Sequence, residues 1–130
     1  MLISQKMESL IIKPSDRFLS VSLDADSGKL TFSGRSLPED GKAFFTPIID
    51  WLKKYSHTPA AKTECTFRME YFNSSSRKCF VDLFDALDSI REKGNSIAII
   101  WEYEEADDEL LEMGEEYEKM YDLDFEFRPY

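Results

Sequence analysis

Between Thr63 and Trp101 the spacing of apolar residues changes twice. Cys65, Phe67, Met69 and Tyr71 alternate with Glu64, Thr66, Arg68 and Glu70, which is the period of a half-buried strand. Phe80, Leu83, Phe84, Leu87 and Ile90 then recur at the period of a helix, with Asp82, Asp85 and Asp88 facing away and Gly94-Asn95 as a stop. Ile97 to Trp101 follows with no alternation, the pattern of a strand buried on both faces of a helix-covered parallel sheet. A strand, a helix and a strand in this order confine the chain to a sheet with helices packed on it.

The flanks extend that plan. Leu10-Ile11-Ile12 is a short apolar segment that ends before Pro14. Leu19, Val21 and Leu23 alternate with serines, Asp24 to Gly28 is a turn by composition, and Leu30 and Phe32 alternate again, so residues 18–33 read as a β-hairpin. After a loop from Gly34 to Gly41, Phe44, Ile48, Trp51, Leu52 and Tyr55 mark an amphipathic helix. Pro47 either sits in its first turn, with Thr46 as cap, or kinks it. The spacing predicts a last helix over 107–121, with Leu110, Met113, Tyr117, Met120 and Tyr121 inward, and a short final strand over Asp124–Phe127. The predicted order is β, β, β, α, β, α, β, α, β: an α/β fold with a mixed sheet, an N-terminal hairpin and about three helices. The length of 130 residues suits one domain, 1–130, with 1–7 expected as a flexible lead-in.

Charge is unevenly placed. Residues 1–96 hold 14 basic and 13 acidic residues, and residues 97–130 hold 2 and 13, so the net −10 sits almost wholly in the last quarter. Nucleic acid and anionic membrane both need basic patches, so neither is an expected partner. No apolar run is long enough for a membrane span, and Met1 to Lys6 lacks signal-peptide architecture, so a cytoplasmic protein without membrane insertion is expected.

Catalytic patterns are missing. Neither a phosphate-binding glycine loop nor a GxSxG elbow occurs, and the single histidine, His57, reads as a solvated loop residue. Cys65 and Cys79 have no zinc spacing and read as reduced thiols packed as small hydrophobes. Glu102, Glu104, Glu105, Asp107 and Asp108 form a run that could hold a hard cation. They lack the spaced ligands and central glycine of a calcium loop and read as a solvated acidic face. No metal, cofactor or enzymatic activity is expected. An enzyme or small-ligand binder using the acidic run with a metal is the least favoured of three readings.

The informative stretch is Tyr71-Phe72-Asn73-Ser74-Ser75-Ser76-Arg77-Lys78, where a central strand gives way to a helix. Helix starts expose unpaired N–H groups and the positive end of the dipole. Ser and Asn are favoured caps there. A phosphate on one of the hydroxyls would also meet N–H donors and Arg77 or Lys78. Both roles can hold for different serines.

Four ordered motifs carry a resemblance: Ser33 to Glu39, Phe45 to Leu52, Tyr71 to Ser76, and Trp101-Glu102-Tyr103 with Glu112 to Tyr117. Together they resemble the SiaC family of bacterial regulatory phosphoproteins over about residues 8–127. The resemblance implies a fold like the STAS domain of anti-sigma factor antagonists. It implies a partner switch in which a serine/threonine kinase phosphorylates the hydroxyl after the asparagine and a PP2C-like phosphatase removes the phosphate. The unmodified form would bind and activate a diguanylate cyclase, raising cyclic di-GMP and favouring biofilm or aggregation. The modified hydroxyl falls on Ser74, where the family usually has threonine, with Ser75 as second choice. Partner contacts fall on Ser33, Gly34, Ser36, Pro38, Glu39, Tyr71, Asn73, Ser75, Ser76, Arg77 and Lys78. A third reading keeps the switch but makes the chain an anti-sigma factor antagonist, with transcription as output.

Overall fold

In the computed structural model the strand, helix and strand of the sequence become β4 (Lys62–Phe72), α2 (Ser74–Glu92) and β5 (Ser96–Tyr103). Before them run β1 (Leu10–Ile12), β2 (Ser20–Asp24), β3 (Lys29–Ser36) and α1 (Gly41–Tyr55), and after them α3 (Asp108–Met120) and β6 (Asp124–Pro129). The structure describes residues 7–36, 41–72 and 74–130, and the side chains of these except residues 36, 72, 74 and 75. Pro38, Glu39 and Asn73, expected at the partner surface, lie outside the described residues, as do the expected lead-in residues 1–6. The element order is the one the spacing predicts.

The six strands lie in the sheet in chain order. β1, β2 and β3 pair antiparallel, and β3, β4, β5 and β6 pair parallel. The β2–β3 turn is held by Asp24, whose carboxylate accepts from Asp26 N at 3.1 Å and from the Ser27 hydroxyl at 2.9 Å. Gly28 closes the turn at a φ of 72°, and a Cβ there would lie 2.3 Å from the Lys62 carbonyl, so only glycine lets the turn dock on β4.

Right-handed crossovers between successive strands that advance in one direction place their helices on the same side. The burial pattern agrees. Val21, Leu23, Leu30, Phe32, Cys65, Phe67, Ile99 and Trp101 are buried on one face with the helix stripes, whereas Ser22, Thr31 and Arg68 on the other face are exposed. This corrects the expectation for β5 in part. Ile100, on the face away from the helices, is buried as the unbroken apolar run implies, but that face carries Ala98, Ile100 and Glu102 next to Thr66, Arg68 and Glu126 and has no second helix layer among the described residues.

Aromatic rings fill the covered face. Phe67 stacks on Phe32 at 4.9 Å and on Phe84 at 5.3 Å, and Phe84 stacks on Tyr117 at 4.6 Å. Each helix contributes its expected stripe, with two corrections. Of the two placements open for Pro47, the structure has the interior one: Thr46 and Pro47 lie inside α1, and the Thr46 hydroxyl donates to the Lys42 carbonyl at 2.6 Å. Pro47 itself has no N–H to give the helix ladder. Met120, the last residue of α3, is 57% exposed, because the helix ends there and the chain leaves for β6. Asp107 is the N-cap of α3 and not its first helical residue, accepting from Leu110 N at 3.1 Å. Cys65 and Cys79 are buried and not disulfide-bonded, and burial pushes the Cys65 thiol pKa up. Among the described residues no helix is long and apolar enough to cross a membrane.

Candidate functional site

Parallel pairing fixes where a site can form. β3, β4, β5 and β6 all end on one edge of the sheet, and α1, α2 and α3 all begin there, at Gly41, Ser74 and Asp108. Three helix N-termini, each with unpaired N–H groups and a positive dipole end, therefore line the carboxyl edge.

These three starts differ in charge. Asp107, Asp108 and Glu109 cap and neutralise α3 with its own carboxylates. The first turns of α1 and α2 hold no acidic residue. α2 opens on Ser74, Ser75 and Ser76, followed by Arg77 and Lys78. Ser74 is its first helical residue, separated from the last residue of β4 by Asn73 alone.

Local irregularity shapes this edge. The β3–β4 register slips between Gly34 and Arg35: Gly34 pairs with Met69 and Arg35 with Tyr71, leaving Glu70 as an extra residue. Gly34 takes a φ of 103° at this point, which glycine alone accepts without strain. Without the bulge Tyr71 would follow Phe67 and Met69 into the core, which is what alternation predicts. With it Tyr71 is 51% exposed.

Tyr71 lines a small cleft of about 50 Å³ with Glu70, Arg77, Asp107, Glu109, Leu110 and Met113. The cleft thus joins the end of β4 to the starts of α2 and α3. Among the described residues that line it, Arg77 carries the one positive charge, against three carboxylates. Its charge reaches the Tyr117 hydroxyl beneath. Burial, partly offset by Arg77, pushes that phenol up to about 12.

The expected site residues sort clearly by position. Tyr71, Arg77 and Lys78 are exposed, and Ser33 and Gly34 are half-buried. Ser76 is fully buried in the unbound chain, unlike the exposed Tyr71, Arg77 and Lys78. For Ser36, Ser74 and Ser75 only the backbone is described, at the end of β3 and in the first turn of α2. Sequence reasoning missed Glu70, Asp107 and Glu109 as walls of the cleft. An aspartate just before Leu110 is a helix-cap signal that could have placed one wall. The bulge that frees Glu70 has no comparable signature beyond Gly34.

The acidic run does not gather. Among the described residues no group of three or more His, Cys, Asp and Glu side chains is placed to hold a metal ion. His57 is exposed in the turn after α1.

Comparison with known proteins matches the same frame. An uncharacterized protein of Pseudomonas aeruginosa strain UCBPP-PA14 is 27% identical over 121 residues, 93% of this chain and 94% of its own length. The crystal structure of apo-SiaC from P. aeruginosa superposes with a TM-score of 0.84 at 26% identity, covering 94% of this chain and 99% of that one. A chain in the crystal structure of the diguanylate cyclase SiaD in complex with its activator SiaC, also from P. aeruginosa, gives a TM-score of 0.86 at 25% identity over 93% and 99% of the two chains. The pattern of the SiaC family regulatory phosphoproteins matches residues 12–130. That match takes in every strand and helix except most of β1, and the carboxyl edge with its serine-led helix lies inside it, so the chain belongs to the SiaC family of regulatory phosphoproteins.

Proposed function

We propose that this protein acts by binding, not by catalysis, as a phosphorylation-controlled switch. Its unmodified form binds and activates a diguanylate cyclase and so raises cyclic di-GMP. A serine/threonine kinase transfers a phosphoryl group from a nucleoside triphosphate to the Ser74 hydroxyl, releasing the hydroxyl proton, and a PP2C-like phosphatase hydrolyses the ester. The observation that carries this reading is the near-full-length likeness to a SiaC chain solved with the cyclase it activates. The charge contrast at the carboxyl edge supports it. α2 offers serines at a helix start free of carboxylates in its first turn, and the α3 start is already neutralised. A phosphate adds about −1.5 to −2 charges to a surface a partner has to cover.

The test is a cyclase activation assay with the cyclase encoded by the same organism. Wild type and Ser74→Ala should both stimulate cyclic di-GMP synthesis. Ser74→Asp, or protein carrying phosphoserine at 74, should lose stimulation and co-elution at least tenfold while keeping the wild-type melting temperature. Equal stimulation by all forms would refute the switch at Ser74 and move attention to Ser75.

A further inference from the structure

The cleft at the carboxyl edge contains more acid than a phosphate would tolerate unaided. Glu70, Asp107 and Glu109 bring three carboxylates to it from β4, the α3 cap and the first turn of α3. Ser74 opens the helix from which Arg77 lines this cleft, so a phosphoryl group on it is added at the same edge of the sheet. The helix N–H groups favour an anion there, but three like charges oppose it.

Arg77 is the residue placed to reverse that balance. It lies three positions after Ser74, and residues three apart in a helix are surface neighbours. It also lines the cleft itself, whereas Lys78, four positions after Ser74, does not. Its guanidinium can engage two phosphate oxygens in parallel, which an ammonium cannot.

We propose that Arg77 is the phosphate-reading residue of the switch: once Ser74 is phosphorylated, Arg77 pairs with the phosphate in preference to the carboxylate wall of Glu70, Asp107 and Glu109. This rests on Ser74 being the modified residue. Arg77 then holds the phosphate in its dianionic form at neutral pH and fixes it at the edge, and Lys78 contributes only general positive charge. In the unmodified protein the same guanidinium shares the cleft with the three carboxylates.

The test is a ³¹P NMR pH titration of full-length protein carrying phosphoserine at 74, in four forms: otherwise wild type, Arg77→Gln, Arg77→Lys and Lys78→Gln. A phosphoserine ordinarily loses its second proton near pH 6. The titration midpoint should rise by about 1 pH unit in Arg77→Gln, as expected on removing a close opposite charge. Arg77→Lys should recover part of that shift, and Lys78→Gln should change it far less than Arg77→Gln. A midpoint in Arg77→Gln indistinguishable from wild type, or a larger change in Lys78→Gln, overturns the assignment. Cyclase stimulation by the same samples is read separately. If phosphorylated and unmodified protein stimulate equally, the proposed function falls whatever the titration shows. If only the titration fails to move, the switch stands and Arg77 is not its reader.

Discussion

The two faces of the sheet are built from the same strands and do different work. On the covered face Phe32, Phe67 and Trp101 meet Phe80, Phe84 and Tyr117 from the helices, ring against ring. On the open face, register places Thr31 beside Thr66 and Ile100, and Ser33 beside Arg68, Glu102 and Arg128. The first face holds the fold by burial of large apolar surface. The second contributes cross-strand polar pairs that are each worth little. The carboxyl edge, where the faces meet, is left free to carry charge changes without unsettling the core.

The sharpest way to break this contrast is Phe84→Ala. Phe84 is fully buried and its ring contacts Phe67, Phe80, Tyr117, Tyr121 and Phe125. Truncation should lower unfolding free energy by about 3–5 kcal/mol in urea, from lost transfer energy and the cavity left behind. A loss below about 1 kcal/mol would mean that the aromatic cluster is not the stabilising layer.

Gly114 probes the same layer from the helix side. A Cβ on it would lie 2.7 Å from the Trp101 ring and 2.8 Å from Phe127. The Trp101 indole N–H donates to the Leu110 carbonyl at 2.9 Å, one turn earlier, so the ring has little freedom to retreat. Alanine is the better helix former by about 1 kcal/mol, but overpacking costs about 1–3 kcal/mol. Gly114→Ala should therefore destabilise, by about 1–2 kcal/mol net, in the same urea measurement. Net stabilisation would show that α3 can lift off β5 and β6.

The Tyr117 phenol gives the covered face a pH signature. Burial raises its pKa from 10 to about 12 in the folded state, so between those values the native protein keeps a proton that the unfolded chain has lost. The stabilisation is whole below about pH 10 and is lost as pH rises toward 12. The Tyr117 share of the loss across that window is on the order of 1–2 kcal/mol; Cys65 and Tyr121, both also pushed up, add to the loss in the same direction, so Tyr117→Phe should make that part of the profile shallower without flattening it. An unchanged slope in the variant would place the alkaline sensitivity elsewhere.

Much of the covered face could be read from spacing, because a stripe such as Phe80, Leu83, Phe84, Leu87 and Ile90 repeats one local geometry. The open face could not be read at Ile97 to Trp101, because an unbroken apolar run is the same string whether helices cover one side or two. Tyr71 departs from its alternation for a different reason: one extra residue in β4 reverses every later position, and Gly34 is its only trace in the sequence. The serine cluster was legible as a helix start. The acidic wall opposite Arg77 was not, since Glu70 and Asp107 are distant in sequence and meet only because β4 and β5 are parallel neighbours.

The smallest effect expected is on the open face itself. The Arg68 guanidinium lies over the Tyr130 ring at 3.9 Å, and cross-strand register sets Glu102 beside it. Arg68→Ala removes an exposed cation–π contact and the aliphatic stem that shields the strand, for which about 0.5–1 kcal/mol is reasonable. The same substitution also relieves nothing on the covered face, so its cost should add to that of Phe84→Ala without coupling, within about 0.5 kcal/mol in a double-mutant cycle. A coupling well beyond that would mean that the sheet transmits packing changes from one face to the other. The carboxyl edge would then no longer be insulated, and a phosphate there would alter the core as well as the surface. Additivity would leave the proposed switch as a surface event on a fold that does not respond to it.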